Sequence, residues 1–398
     1  MPRVRVWSSV ALLCLGVLAC GSEGSGAGAL GGAGEAPVGG GSGSGGLGSA
    51  GLGSGGFGGA DPGCPGPLTD PAATGLVYQD GDSSSVSWYD QGMSGSMDSP
   101  LGGVAVDLLS SGGEVASMLT CPSGELAFSA LPAGPHLLDV KLDRPCTSSN
   151  RARRFPERVR QGSAKVLTFG DSIPSYGPQP WFPARLATLA QPLVNIENVN
   201  VAVPGSTSAE WLPTEVLFTQ EIAPHLTSAD VLVFSLGGND ILGFMNQLNF
   251  DPATIADQLA QLDAVVAEVE QNLKTIIAAI RGQAPDVDIV WLVYPNYART
   301  SYFQTQAGSY AALATSYADT LLRGIRSNMA TTSNLLLADM LGATADLDLD
   351  SLLVDPLHLN DSGHQFYAEE VFIVLGGVLV DPGGNSRGLS RELGFAAP

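Results

Sequence analysis

A serine that could act as a nucleophile follows a short apolar run near the middle of the sequence. Gly170, Asp171 and Ser172 come directly after the run Val166–Phe169. A parallel strand that stops in a tight turn presents that turn to the crevice beyond its carboxyl end, where open α/β sheets bind ligands. Taken alone, Ser172 could equally cap the next segment. As a nucleophile it needs a base that takes its proton.

Four histidines are candidates for the base. His358 has a carboxylate three residues upstream, Asp355, which could fix the tautomer of the imidazole and stabilise the imidazolium. His364 falls inside a predicted helix and is the second candidate. Of the remaining two, His136 falls in a separate region of short predicted strands, and His225, in a connection after Pro224, is interpreted as structural. The spacing therefore favours His358 as base and Asp355 as the acid that orients it.

An oxyanion formed at Ser172 would need hydrogen-bond donors that do not have to reorganise. Three are predicted: the backbone N–H of Ser172, the backbone N–H of Gly205 and the side-chain amide of Asn239. Gly205 permits a tight turn and close approach of a substrate. Asn239 stabilises negative charge without neutralising the base. Taken alone, Gly205 and Asn239 could each be an ordinary turn residue. The interpretation as oxyanion donors depends on the order of all the candidate groups along the chain.

The elements that must position these groups begin near Lys165. Predicted strands cover 166–169, 194–201, 231–236, 289–294 and 335–338, and predicted helices cover 181–190, 209–217, 252–281, 310–329 and 361–374. Strands that alternate with helices are typical of a parallel sheet covered on both faces. Each candidate group falls just past a predicted strand or at the start of the last helix. We therefore expect them at one edge of the sheet.

The preceding region has a different pattern. Short strands are predicted at 75–78, 104–109, 114–119, 125–129 and 136–142, separated by Gly/Pro/Ser turns. This pattern predicts a small β-sandwich. One basic run follows and is interpreted as a solvated interdomain linker: Arg151, Arg153, Arg154, Arg158 and Arg160.

The amino-terminal segment has the features of an export signal. Arg3 and Arg5 precede the apolar run Val10–Leu18, which is too short for a hydrocarbon core of roughly 30 Å. Residues 1–19 are predicted to be a lipoprotein signal peptide, because a small residue before Cys20 looks like a bacterial lipobox. The alternative is a secretory leader cleaved near Ala19. In residues 20–62, rich in Gly and Ser, we expect a disordered linker that spans roughly 35 Å.

These features predict an exported bacterial cell-envelope lipoprotein, at the outer membrane or cell surface. The formal net charge of −21 excludes the nucleic-acid binders, which need basic residues to neutralise phosphates. Membrane contact is expected through the lipid on Cys20 only, and the chain is expected to be a monomer. Export favours a disulfide, assigned to Cys121 and Cys146, although pairing through Cys64 stays open. No metal site or cofactor is predicted, because C-x-x-C and H-E-x-x-H motifs are absent from the sequence.

Four sequence blocks resemble the SGNH (GDSL-like) hydrolase superfamily over about residues 163–376. They are Phe169–Ser172, Gly205, Gly237–Asp240 and Asp355–His358. The resemblance implies a flavodoxin-like three-layer α/β/α fold with five parallel strands in the order 2-1-3-4-5. It also implies ester hydrolysis by an acyl-serine route. On it, Ser172 is nucleophile and oxyanion donor, Gly205 and Asn239 are oxyanion donors, and His358 is the base with Asp355 as its partner.

A second, shorter resemblance covers about residues 98–143 and is to the carboxypeptidase-regulatory-like β-sandwiches. The predicted organisation is therefore a small sandwich at 63–155, an SGNH hydrolase domain at 163–380 and a carboxyl-terminal tail at 381–398. A G-x-S-x-G motif at 384–388 is interpreted as a chance match, because no histidine follows it.

The sequence predicts a surface-anchored serine hydrolase that cleaves carboxylic esters, with an acylated glycan or a lipid as possible substrates. Two alternatives stay open. A carbohydrate O-deacetylase would use the same site with a different pocket. A non-catalytic surface binding or adhesion protein would retain the fold without the reaction.

Overall fold

The computed structural model describes about two thirds of the chain. The described residues are 73–76, 78–79, 86–87, 99–100, 104–119, 125–128, 131–141, 155–245, 255–332, 335–380, 382 and 386–387. The predicted signal peptide, the predicted linker and all five cysteines lie outside them, as does the predicted disulfide.

Antiparallel strands form the amino-terminal part. They are β1 (Ala73–Leu76), β2 (Tyr78–Gln79), β3 (Val86–Ser87), β4 (Ser99–Pro100), β5 (Ala105–Ser110), β6 (Gly113–Leu119), β7 (Glu125–Phe128) and β8 (Gly134–Lys141). Strand β5 pairs with β6 and β8, β1 with β7, and β2 with β3 and β4. The predicted strands of this region are present, and three short ones were missed: β2, β3 and β4.

A short helix, α1 (Phe155–Gln161), occupies most of the predicted solvated linker. Phe155 is 1% exposed and belongs to the main core. Arg158 Nε lies 2.7 Å from Asp230 Oδ1, and Arg160 pairs with Asp107 at 3.3 Å and with Asp139. The linker prediction was therefore wrong here, because one buried aromatic ring and three ion pairs attach the segment to both sheets. The other three arginines of the run lie outside the described residues.

The second sheet is parallel. Its strands are β9 (Ser163–Gly170), β10 (Asn195–Asn200), β11 (Val231–Ser235), β12 (Asp288–Val293) and β13 (Leu335–Asp339). Their order is β10-β9-β11-β12-β13, so the predicted order 2-1-3-4-5 is confirmed. The order reverses direction at β9, which places the end of β9 at a topological switch point, where such sheets bind ligands.

Helices cover both faces of this sheet. They are α2 (Phe182–Ala190), α3 (Gly238–Met245), α4 (Ile255–Gln283), α5 (Ser301–Ala307), α6 (Ala311–Ala330), α7 (Met340–Ala343) and α8 (Asp361–Val374). Successive strand residues point to opposite faces. Val231 and Val233 accordingly pack in the cluster with α2 and α8, whereas Leu232 and Phe234 pack in the cluster with α4 and α6. The predicted three-layer α/β/α fold is confirmed.

The chain returns to the antiparallel sheet after α8. Strand β14 (Gly377–Val380) pairs with β8, and β15 (Ser386–Arg387) pairs with β14, so this sheet has the order β15-β14-β8-β5-β6. Gly377 allows the sharp return, because a Cβ there would lie 2.1 Å from the ring of Phe372. None of the helices in the described part of the chain has both the length and the apolar run that a bilayer crossing requires.

Candidate active site

The turn after β9 depends on a glycine. Gly170 has a φ of +123°, and a Cβ there would lie 2.1 Å from the carbonyl oxygen of Ser235 on β11. The next amide, that of Asp171, donates a hydrogen bond to the same oxygen at 3.0 Å. The chain therefore stays close to β11 until it turns, and Ser172 lies just beyond the carboxyl end of the sheet.

A tight loop before α8 carries the predicted base. Val354 N donates to His358 O at 2.8 Å, which closes the loop. Within it, Asp355 Oδ1 accepts hydrogen bonds from the amides of Leu357 and His358 at 3.0 and 2.9 Å. The carboxylate is thus fixed by its own loop, so its position does not depend on the imidazole.

The structure brings the three predicted catalytic side chains together. His358 Nδ1 lies 2.8 Å from Asp355 Oδ2, and His358 Nε2 lies 3.1 Å from Ser172 Oγ. These contacts fit one tautomer, in which Nδ1–H donates to the carboxylate and Nε2 accepts from the serine hydroxyl. That hydroxyl is placed to lose its proton to the imidazole.

The Asp355 carboxyl has a lowered pKa. Burial raises it, but hydrogen bonds from the Leu357 amide and from the side chain and amide of His358 outweigh this effect. The group is therefore ionised at neutral pH and can hold the imidazole by a charge-assisted hydrogen bond.

The predicted oxyanion donors come from three segments at the same edge of the sheet. Gly205 has a φ of +87° and an exposed backbone with open space at its Cβ position. Within the described part of the chain, the amides of Ser172 and Gly205 donate to no acceptor. Asn239, in the first turn of α3, donates through Nδ2 to Ser206 O at 2.9 Å. A primary amide has two N–H donors, so one remains for a ligand.

A polar network that the sequence analysis missed holds the oxyanion segments in place. Asp240 accepts hydrogen bonds from the amide and the hydroxyl of Ser208, at 2.9 and 2.7 Å. Ser206 donates to Gly170 O at 3.1 Å and accepts from Trp211 Nε1 at 2.9 Å. These hydrogen bonds hold the turn that contains Gly205 against α3 and β9. The available signal was the run Ser206-Thr207-Ser208 directly after Gly205, with Asp240 directly after Asn239.

A second carboxylate lies behind the serine. Asp171 is 3% exposed and accepts hydrogen bonds from the Ile173 amide at 3.0 Å, from Ser235 Oγ at 2.7 Å and from the Tyr294 hydroxyl. Burial raises its pKa, and these hydrogen bonds offset the effect only in part. In the sequence, Asp171 stands within the block Phe169–Ser172 with no role predicted for it.

His364, the second candidate for the base, has other partners. It is fully buried, its Nε2 donates to Tyr176 O at 3.0 Å, and its Nδ1 accepts from the Phe182 amide at 3.3 Å. Burial lowers the pKa of the imidazole to about 4, so it is neutral at pH 7. It joins α8 to both ends of the segment after Ser172, and it makes no hydrogen bond to that serine.

The remaining sites singled out in the sequence are accounted for as follows. His136 is buried on β8 with its ring 2.7 Å from Pro132 O, and His225 lies in a 3₁₀ turn. Ser386, from the G-x-S-x-G motif, pairs with Val380 in the antiparallel sheet. Among the described residues, no group of three or more His, Cys, Asp or Glu side chains could hold a metal ion.

Comparison with known proteins gave a family match and similar structures. Residues 168–366, half of the 398, match the GDSL-like lipase/acylhydrolase family. No curated protein matched the sequence. Similar solved structures include a lipase from a goat rumen metagenome, at 16% identity and a TM-score of 0.41, covering 53% of this chain and 97% of that chain. An acetylxylan esterase from Geobacillus stearothermophilus has 17% identity and a TM-score of 0.37, over 54% and 94% of the two chains.

An extracellular lipase from Streptomyces rimosus is also similar, at 14% identity and a TM-score of 0.38, over 52% of this chain and 98% of that chain. The family match falls on the parallel-sheet part of the chain and includes every residue of the candidate site. The chain therefore belongs to the GDSL-like lipase/acylhydrolase family and is a carboxylic ester hydrolase.

Proposed function

We propose that the protein hydrolyses carboxylic esters through an acyl-Ser172 intermediate. The observation that carries this proposal is the hydrogen-bonded series from Ser172 Oγ through His358 to Asp355, at 3.1 and 2.8 Å, at the carboxyl edge of the parallel sheet. The arrangement supplies a nucleophile, a base and a carboxylate that stabilises the charged base.

In the acylation step, His358 Nε2 takes the hydroxyl proton as Ser172 Oγ bonds to the acyl carbon. Negative charge develops on the carbonyl oxygen and is stabilised by the amides of Ser172 and Gly205 and by Asn239 Nδ2. The ester C–O bond then breaks, and the imidazolium gives its proton to the departing alcohol oxygen.

In the deacylation step, water takes the place of the alcohol. His358 accepts a proton from the water as its oxygen bonds to the acyl carbon. The carboxylic acid leaves, and Ser172 Oγ takes the proton back. Asp355 stays ionised throughout and keeps the imidazole oriented.

The test is hydrolysis of p-nitrophenyl acetate by Ser172→Ala and His358→Ala, with matched controls Ser316→Ala and His225→Ala. Ser316 is exposed on α6, and His225 is half-buried in the 3₁₀ turn before β11, at the opposite end of that strand from the site. We expect both site variants to lose activity by at least about 10³-fold, and both controls to keep it. A fluorophosphonate should label the wild type and the controls but not Ser172→Ala. Turnover by Ser172→Ala at the wild-type rate would overturn the proposal.

We also propose that the enzyme is a monomer anchored to the bacterial cell envelope through lipid on Cys20. Its support is the basic, then apolar, leader that ends at Ala19-Cys20, and the Gly-rich segment that follows. Cys20→Ser should abolish incorporation of labelled palmitate and release the enzyme from the membrane fraction. Lipid incorporation by that variant would refute the anchor without affecting the proposed reaction.

The predicted Cys121–Cys146 disulfide remains a proposal that peptide mapping without reduction can test.

A further inference from the structure

A groove lies beside the candidate active site. It has a volume of about 440 Å³, within the range of about 300 to 1,000 Å³ usual for small-molecule sites. It is open to solvent, and its lining comes from the segment after Ser172 and from the loop before α8: Ser175, Tyr176, Gly177, Pro178, Trp181, Val354 and Asp355.

The groove is on the base side of Ser172. The ring of Tyr176, part of the lining, lies with its centroid 4.0 Å from that of His358. Asp355, the partner of His358, is also part of the lining, whereas Gly205 and Asn239 are not. The base gives its proton to the departing alcohol oxygen, so the alcohol part of an ester has to lie next to His358. The position of the groove therefore fits the alcohol part of the substrate.

The groove wall is held in place by hydrogen bonds before any substrate arrives. His364 Nε2 donates to Tyr176 O at 3.0 Å, and Trp181 Nε1 donates to Gly177 O at 3.2 Å. Gly177 leaves no space for a side chain, since a Cβ there would lie 2.4 Å from Leu359 O. Pre-organisation of this kind lowers the entropic cost of binding.

The lining combines flat apolar surface with polar groups. Tyr176 is 47% exposed and Val354 55% exposed, which leaves a ring face and an aliphatic side chain open to a ligand. Asp355 supplies a carboxylate, and Ser175 a hydroxyl oxygen that can accept, since its proton is donated to Asp171 O at 3.2 Å. A carboxylate in the wall disfavours an anionic alcohol and accepts hydrogen bonds from hydroxyl groups. The complementary ligand is a neutral ring with an apolar face and hydroxyls on its edge.

We propose that this groove binds the alcohol part of the ester and that this alcohol is a glycosyl residue of an acylated carbohydrate. The inference rests on the proposed ester hydrolysis at Ser172. On this inference, the aromatic side chains of Tyr176 and Trp181 determine which alcohol the enzyme accepts. They act during acylation only, because the alcohol has left before water enters.

The experiment keeps the acyl group constant and varies the alcohol. Acetyl esters of methyl β-xylopyranoside, of ethanol and of octanol are compared for the wild type, Trp181→Leu and Val354→Ala. The matched control is Val216→Ala, because Val216 is an equally exposed valine, at 61%, that does not line the groove. Val354→Ala keeps the test valid if Trp181→Leu fails to fold.

We expect the wild type to prefer the acetylated xyloside over the other two esters by about tenfold or more in kcat/KM. Trp181→Leu should lower kcat/KM for the xyloside by about tenfold, and Val354→Ala by a smaller factor, with ethyl acetate changed less than about twofold. The deacylation rate of the acetyl-enzyme should be unchanged in both variants, and Val216→Ala should match the wild type.

Three results would overturn the assignment. Preference for octyl acetate, weakened by the groove variants, would assign the groove to an aliphatic alcohol. An equal loss on all three esters would show that Trp181 and Val354 are structural only. A changed preference among p-nitrophenyl esters of different acyl length would assign the groove to the acyl group. A wild type that hydrolyses no ester would instead refute the proposed function itself.

Discussion

Tyr294, which follows β12, donates its hydroxyl hydrogen bond to Oδ2 of Asp171, directly behind Ser172. Asp171 has no cation among its hydrogen-bond donors in the described part of the chain, which are the Ile173 amide and the hydroxyls of Ser235 and Tyr294. Since these donors are neutral, the carboxylate when ionised adds a negative charge that interacts with the imidazole of His358. Asp171 is therefore placed to assist the charged form of the base through space.

Replacement Asp171→Asn tests that assistance. The Asn oxygen can still accept from Ile173 and Ser235, and its amide can donate to Tyr294, so we expect the fold to be kept. Loss of the buried charge should lower kcat for p-nitrophenyl acetate by about tenfold, equivalent to about 1.4 kcal/mol. Asp319→Asn, on the surface of α6, is the control and should leave kcat unchanged. An unaltered kcat in Asp171→Asn, with a normal circular dichroism spectrum, would reduce Asp171 to a structural role.

Asn239 Nδ2 donates one N–H to Ser206 O, which leaves its second N–H for the oxyanion. Asn239→Ala removes one donor, so kcat should fall by about 10² to 10³ with little change in KM. Asn328→Ala, an exposed asparagine on α6, should have no effect. The measurement is steady-state hydrolysis across an acyl series. A rise in KM at unchanged kcat would place Asn239 in substrate binding and leave the oxyanion to the two backbone amides.

His364 predicts a dependence of stability on pH. Its folded-state pKa of about 4 lies below the usual 6.5, because the ring is buried with Arg185 nearby, an effect that Tyr176 O and Asp361 oppose in part. The unfolded chain then binds the proton more readily between these two values. The contribution of His364 to the free energy of unfolding is complete above about pH 6.5 and decreases as the pH falls towards 4.

His364→Gln separates this contribution from those of other groups. Its oxygen can accept from Phe182 and its amide can donate to Tyr176, and it does not titrate. We expect the fall in Tm from pH 7 to pH 4.5 to be smaller in the variant than in the wild type, by differential scanning calorimetry. Equal falls in the two proteins would mean that His364 does not titrate in this window.

The parallel sheet could be predicted from the sequence because each of its strands is marked by residues close together along the chain. Each buried strand is a short apolar run, and Gly170 and Asn239 mark the turns that follow two of them. The positions of Ser172, Asp355 and His358 at one edge follow from that alternation once the strand order is known. The structural role of His364 was not predicted, because neither its burial nor its contact with Tyr176 is visible in a helical pattern.

Other features depend on tertiary contacts between distant segments. Strand β14 is a four-residue apolar stretch directly after a helix, and nothing local indicates that it pairs with β8, about 240 residues earlier. The Asp171–Tyr294 contact likewise joins residues that follow two different strands, β9 and β12. Phe155 was placed in a linker because the arginines around it indicate solvent, whereas its ring is buried between the two sheets.

The pairing of β14 with β8 predicts that the two sheets unfold as one unit, which can be tested at Leu137. Leu137 lies on β8 of the antiparallel sheet, yet it is fully buried in the same cluster as Val371 and Phe372 of α8. Leu137→Ala should lower the free energy of unfolding by roughly 2–5 kcal/mol. The shift should be seen in urea unfolding followed by tryptophan fluorescence, to which Trp291 of β12 and Trp211 contribute, both buried in the core cluster of the parallel sheet with α4 and α6.

The control for that prediction is Leu119→Ala on β6, since Leu119 is 52% exposed on the same antiparallel sheet. Surface substitutions of this kind usually change stability by no more than about 0.5 kcal/mol. If Leu137→Ala left the tryptophan transition in place and only a separate, earlier transition moved, the two sheets would unfold independently. A single shifted transition means that damage to the antiparallel sheet destabilises the active-site sheet, because β14 and the buried Leu137 join the two through α8.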